Sequence, residues 1–398
     1  MDGQPKSPVF VRPFVTETDY AQFSGASQQV VFAAETVTGG APALIPPEDS
    51  DVYGAAPLRY DFPAVTITTL RETVVRGKSN ILTTPEGIVR HGLMDVLTEV
   101  VPDHMYGRLK IAPDGGTAAW TEWDPFNVGY LPEAAVFTDW TAFNYAHWLT
   151  EVLSRVAAFV QARGASVPFL IDSELHPNIV RSIQLVAGPD VVLHRLPPNH
   201  LVRVGVLHNV SPVGYVPFSL RPQPVTSISH GLFGGQGLRA MVGSLRGAVG
   251  AREPGPRRLF LSRQSAMRHI VNEQEIAEAV EAQGFVVVRP ESLSLEEQVA
   301  LYSGAEMIVG ATGAAFANLI FCPPQCATVV LMPRFLHTAY WYWRRMAAAA
   351  GAGPVVHVSG PQVNTLADPF HPRALHQDFK VAAKDVLEAI EVAEALAR

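Results

Sequence analysis

Two stretches of alternating strand and helix predict an α/β protein of two domains, preceded by a β-rich N-terminal region. In the first stretch, helical periodicity runs from Asn144 to Gln161, followed by a strand at Pro168–Ile171, a helix after His176-Pro177 and a strand at Val191–Leu193. The second, Arg257 to Pro333, reads strand, basic loop, helix, strand, helix, strand, Gly-rich loop, helix, strand. A helix between successive strands implies parallel pairing, because a parallel neighbour needs a crossover longer than a hairpin turn. At 398 residues, 48% of them apolar and 17% charged, the chain is long enough to build a core in each of two domains.

Taken in order, residues 1 to about 65 are rich in Pro, Gly and Ala, with short β-like runs such as Gln29–Phe32. Short strands and turns continue from Val65 to Tyr130. Asp49-Ser50-Asp51 has the form of an acidic pair that holds a divalent ion, but it follows Pro46-Pro47 in a polar loop and reads as a solvated turn. Pro222 through Pro256 is dense in Gly and Pro around one helical piece, Leu238–Val249, and predicts the linker between a domain of residues 1–250 and one of 251–398. No strand leads into Gly231–Gly237, so a flexible hinge is expected there and not a dinucleotide loop. Tyr340–Arg345 is read as a buried or domain-closing helix, with an aromatic sugar platform or a membrane-surface patch as alternatives. A last helix, Gln377–Ala397, follows the Pro-rich connector 368–372 and is expected to pack back on the first domain.

Composition excludes several classes. Thirty basic against thirty-seven acidic residues give a net charge of −7, so no global field draws nucleic acid or an anionic membrane. No apolar run is long enough to span a bilayer and the N-terminus has no signal-peptide pattern, which predicts a cytoplasmic protein with at most peripheral membrane contact. Cys322 and Cys326 lack the partners of a zinc site and read as buried, reduced thiols; no metal and no cofactor is expected. His91, His104, His194, His200 and His208 show no two-ligand spacing and read as structural or exposed.

Three places carry chemistry. A buried strand (Leu259–Leu261) runs into Ser262-Arg263 and a loop with Arg268, and the next helix opens at Asn272, with Glu273 in its first turn and Glu275 at capping-box spacing. Arginine forks and free helix N–H groups aimed at one spot suit an anion. Met307–Val309 runs into Gly310–Ala315, whose small residues (Gly310, Thr312, Gly313, Ala314) let a ligand approach the backbone. Third, Asn144, His147, Glu151 and Arg155 recur at three- or four-residue steps beside an apolar stripe of Tyr145, Leu149, Val152, Val156 and Phe159. Periodicity alone reads this as a solvated face with an i,i+4 Glu–Arg pair; the functional alternative is a polar stripe lining a crevice, in which His147 or Glu151 accepts a proton.

In order along the chain, Asn144–Arg155, Leu261-Ser262-Arg263 with Arg268, Asn272 and Glu273, then Gly284-Phe285, Pro290-Glu291, Leu295 and Gln298, then Gly313-Ala314 with Asn318, Phe321 and Pro324 are similar to the motifs of glycosyltransferase family 61, the bacterial capsular polysaccharide biosynthesis type. The resemblance covers about 137 to 335. Thr312 and Leu331 stand where the family usually has His and often has Glu. The resemblance implies a GT-B architecture, two Rossmann-like domains facing across a cleft. It further implies inverting, metal-independent transfer from a nucleotide-sugar donor, with a uridine-based one expected, to a polysaccharide or lipid-linked glycan. His147 and Glu151 would be catalytic, Asn144, Tyr145 and Arg155 would lie on the acceptor side, and Ser262, Arg263, Arg268, Asn272, Glu273, Gly310, Thr312, Gly313, Ala314 and Asn318 would bind the donor. A non-catalytic binding member of the same pathway and a nucleotide-sugar epimerase are the alternatives.

Overall fold

The computed structural model describes residues 9–47, 56–97, 99, 101–121, 128–198, 200–217, 231–253, 255–263, 267–334, 342–363 and 376–398. The acidic pair Asp49/Asp51, Tyr340-Trp341 and the connector 368–372 lie outside the described residues. The chain forms two compact units, one of residues 1–34 and 63–221, the other of 35–62 and 222–398.

Among the described residues, the first unit is built on an eleven-stranded mixed sheet. Its α/β part holds four parallel strands, Val128–Val136, Phe169–Asp172, Leu193–Leu196 and Leu201–Val210, which by chain order lie side by side as 3-2-1-4. Val65–Arg76 runs antiparallel beside Leu201–Val210 and carries the sheet into the β-rich part. Helix Tyr145–Arg163 follows the first parallel strand and covers one face, where Phe159 meets Phe137 and Phe169 edge to face at 6.1 and 5.6 Å. Asn144 starts this helix by accepting the Ala146 N–H at 3.0 Å. The next helix, Pro177–Ala187, starts with Pro at its first position, where a missing N–H costs nothing.

The second unit is a six-stranded sheet, parallel throughout, in the order Val286–Val288, Arg258–Leu261, Met307–Ala311, Ala327–Pro333, Val355–Gly360, Ala43–Ile45. Strands buried on both faces read as apolar runs, as Ala327–Pro333 does, with every residue buried. Ala43–Ile45 adds to the sheet edge and the antiparallel pair Glu35–Gly39/Leu58–Phe62 packs on helix Tyr342–Ala350, so residues 35–62 fold with the C-terminal half and not with their neighbours in sequence.

Two expectations change here. Helix Ala383–Ala397 buries Val386, Ala389, Ile390 and Ala393 in one core with Phe260, Val309 and Leu331; its apolar face is used within the second unit, correcting the expectation that it packs on the first. The glycines near 235 are not a hinge but a close approach: helix Gly235–Val249 begins with a glycine whose added Cβ would sit 2.7 Å from Ala349 O. Tyr342–Ala350 is the packed helix expected, with Trp343 and Met346 buried. Cys322 and Cys326 are buried free thiols, and no helix among the described residues is long and apolar enough to cross a membrane.

Candidate active site

In the first unit the order of the parallel strands reverses at Val128–Val136, which has the second strand on one side and the fourth on the other. Ligands of open α/β sheets bind outside the carboxyl ends of the strands at such a point. The polar helix residues meet there. Around Trp148–Leu153 the helix widens into a π-turn and all six residues are buried, a distortion often found at functional sites. His147 Nδ1 lies 2.5 Å from Glu151 Oε1. Glu151 also accepts the Val216 N–H, while Arg155 donates to the Glu151 carbonyl at 2.9 Å and reaches Asp139 Oδ2 at 3.8 Å. Glu151 and Arg155 are 6% and 7% exposed, which overturns the solvated-face reading; the i,i+4 pair that forms joins His147 to Glu151, and Arg155 turns to Asp139.

Burial disfavours a charged His147, but the charge and hydrogen bond of Glu151 outweigh it and raise the imidazole above its ordinary value. Burial likewise raises Glu151 against the pull of His147. The pair is braced from the strand ends: Asp139 accepts from Thr141 N and Oγ1 at 2.9 and 2.8 Å and from Asn80 Nδ2 at 3.0 Å, and its own N–H donates to Asp172 Oδ2 at 2.9 Å. Behind it His91, Asp139, Glu151, Arg155 and Tyr215 line a cavity of about 30 Å³, enough for water and too small for a sugar. His91 stacks edgewise on Tyr215 with centroids 4.3 Å apart, and neither ring nitrogen has a hydrogen-bond partner among the described residues. Burial pushes His91 down to about 3, and pushes Glu99, which accepts the Tyr215 hydroxyl, up to about 7.

The second unit has its own reversal, between Arg258–Leu261 and Met307–Ala311. Arg263, two residues past the first strand, donates its Nη1 to the Thr312 carbonyl and its backbone N–H to Glu273 Oε1 at 3.2 Å. The guanidinium lies against Gly313, where an added Cβ would come 2.5 Å from Nη1; only glycine leaves it that space. Arg268 has a left-handed backbone, φ 59°, uncommon for a non-glycine residue, and its Nε is buried with no hydrogen-bond partner among the described residues. Burial and then the charge of Arg268 lower Arg263 to about 10, so it stays a cation at neutral pH. Two neighbouring cations thus follow the carboxyl end of strand Arg258–Leu261, and the first reaches the turn after the adjacent parallel strand Met307–Ala311.

Residues 145–331 match the family model described as Glycosyltransferase 61. The chain carries a glycosyltransferase 61 domain. That domain makes the protein a glycosyltransferase, acting between a sugar donor and a glycan acceptor. No curated protein matches the chain. The glycosyltransferase 61 domain begins at the turn that carries His147 and ends in the strand that follows the Gly313 turn, so His147, Glu151, Arg155, Arg263 and Arg268 lie on it, while His91 and Asp139 lie before it.

The remaining positions predicted from the sequence take other parts. Asn144 caps its helix and Tyr145 is half-buried beside it. Asn272 does not cap: its amide donates to the Val381 carbonyl at 2.8 Å and to Glu275 Oε2 at 3.0 Å, so the capping box is replaced by a clamp on the chain before the last helix. Glu273 positions Arg263 through its backbone, and Ser262 N–H continues the ladder to Val288 O at 2.9 Å. Gly310 is a packing position, 2.8 Å from Leu261 Cβ for any added Cβ. Ala314 opens a 3₁₀ helix, Ala314–Phe321, where an α-helix was expected, and within it Asn318 is buried and bonded to Gln298 Oε1 at 2.7 Å. Thr312 is fully buried and its hydroxyl accepts the Trp343 indole N–H at 2.9 Å. Thr312→Val should therefore lower the unfolding free energy by about 1–3 kcal/mol, the cost of a stranded buried donor, and Thr312→Ser should lose less; denaturant unfolding measures both.

Sequence reasoning missed Asp139, His91, Tyr215 and Glu99. Asp139 alone carried a signal, an Asx-turn residue just past a buried strand, as Asp139-Trp140-Thr141 shows. The others are brought in by pairing distant in sequence.

Proposed function

We propose that the protein is an inverting, metal-independent glycosyltransferase of GT-B type, its first unit the acceptor half and its second the donor half. It transfers sugar from a uridine-diphosphate donor to a growing polysaccharide or lipid-linked glycan at the cytoplasmic side of a membrane. The observation that carries this reading is the pair Arg263/Arg268 at the strand reversal of the second unit. Fixed cations that need no reorganisation stabilise a diphosphate as it gains charge on leaving, the part a divalent ion takes in other transferases.

The His147–Glu151 pair supplies the other half of the chemistry. Glu151 takes the Nδ1–H, which leaves Nε2 with a free lone pair. Nε2 removes the proton of the acceptor hydroxyl as its oxygen attacks the anomeric carbon. The bond from that carbon to the diphosphate oxygen breaks, its electron pair goes to the leaving nucleoside diphosphate, and one direct displacement inverts the anomeric centre.

A panel of nucleotide sugars incubated with the purified protein and glycan acceptors tests this. Transfer with inverted anomeric configuration by NMR, undiminished in a chelator, is the expected result. Saturable binding without turnover would make the protein a non-catalytic binder, and an isomerised donor would make it an epimerase.

A further inference from the structure

Beyond the glycosyltransferase 61 match, which ends at residue 331, the chain returns to the carboxyl ends of the second unit's strands. Residues 376–381 run beside 268–271: Arg268 N–H donates to the His376 carbonyl at 3.2 Å, Phe379 N–H to His269 O at 2.9 Å, and Val271 N–H to Phe379 O at 2.9 Å. This short parallel pairing sets His376 beside Arg268.

His376 Nδ1 is buried there and, like Arg268 Nε, has no hydrogen-bond partner among the described residues. The positive charges of Arg268 and Arg263 act on the imidazole. The carboxylates on the packed elements are engaged elsewhere. Asp378 accepts the His269 N–H at 2.8 Å and lies 3.4 Å from its Nδ1, Glu273 accepts the Arg263 N–H, Glu275 accepts from Asn272, and Glu291 and Tyr342 act on Arg263. Burial, then Arg268 and Arg263, hold His376 down to about 4, so it is neutral at pH 7. A bound polyanion shifts the charge balance that keeps it so, because an anion at hydrogen-bond distance favours imidazolium and offsets the two guanidiniums.

We propose that His376 is a third ligand for the donor's diphosphate, beside Arg263 and Arg268, and that it takes up a proton when a nucleoside diphosphate binds. The inference rests on the donor-site reading above and deepens it. Its consequence is a donor site whose affinity for diphosphate rises as pH falls and whose product leaves more readily as pH rises.

Titration calorimetry of the full chain with uridine diphosphate, at pH 6 in two buffers of different ionisation enthalpy, tests this on the wild type, His376→Gln and Arg263→Ala. The phosphate's own titration is common to wild type and His376→Gln, so their difference isolates the residue. The wild type should take up a fraction of a proton more than His376→Gln, roughly 0.1–0.5 at this pH, and His376→Gln should bind several-fold more weakly. His376→Lys, a fixed cation, should bind with no proton uptake attributable to the site; this variant keeps the test open if His376→Gln folds poorly. Equal proton counts and equal affinities in wild type and His376→Gln would overturn the inference while leaving the donor site standing, provided Arg263→Ala weakens binding. If Arg263→Ala binds as the wild type does, the donor site itself is misassigned and both readings fall.

Discussion

His147→Ala should lower kcat by about 10²–10⁴-fold, the usual contribution of a positioned general base, while the dissociation constant for the nucleoside diphosphate stays within about twofold. The two readouts separate because His147 lies on the first unit and the cations on the second. The pH dependence tests the mechanism further. A base works only when unprotonated, and His147 is raised above its ordinary value by Glu151 despite burial. The rate should therefore rise with pH through a point above the ordinary histidine pKa of about 6.5. In Glu151→Gln the carboxylate charge is gone and burial acts nearly alone, so this limb should move to lower pH. The rate above it should still fall, because a neutral amide neither holds the Nδ1–H tautomer as firmly nor stabilises the imidazolium that forms. Kinetics of wild type and both variants between pH 5.5 and 9 decide it. Near wild-type turnover in His147→Ala would leave the His–Glu pair a structural one.

The parallel α/β layers were legible because their signals are local. Buried strands such as Met307–Ala311 and Ala327–Pro333 are short apolar runs, and the helices between them announce themselves by caps and periodicity. What failed was non-local. Helical periodicity puts His147, Glu151 and Arg155 on one line but does not say whether water or protein covers it; the π-turn at Trp148–Leu153 and the segment around Tyr215 bury it, and neither has a sequence signature. Asn272 has the residue type of a cap and the spacing of a capping box, yet Val381, more than a hundred positions on, competes for its amide and wins. Residues 35–62 join the C-terminal half because Ala43–Ile45 finds the free edge of Val355–Gly360, a pairing that three apolar residues cannot advertise. His376 belongs to the same class, delivered to Arg268 by one short parallel pairing.

Arg263→Ala should raise the dissociation constant for the nucleoside diphosphate by roughly tenfold to a hundredfold, the scale of one charge-assisted hydrogen bond of about 1.5–3 kcal/mol. Three features set that scale. The guanidinium is partly withdrawn from water, so its attraction for phosphate is less screened than at an open surface. Thr312 O and the space over Gly313 fix its orientation before the ligand arrives, which removes ordering cost from binding. Arg268 opposes it at close range, so the free protein holds two like charges together and an anion relieves the repulsion. Arg263→Lys should recover only part of the loss, because an ammonium keeps the charge but cannot bond to Thr312 O and two phosphate oxygens in one plane. Gly313→Val provides a change that leaves both arginines in place: its side chain would occupy the position of the guanidinium and should weaken binding nearly as much as Arg263→Ala. Isothermal titration at constant salt, with thermal melts to confirm that each variant is folded, tests the set. Unchanged affinity in both Arg263→Ala and Gly313→Val would remove the diphosphate from this turn and with it the argument that the chain's own cations do the work of a metal ion.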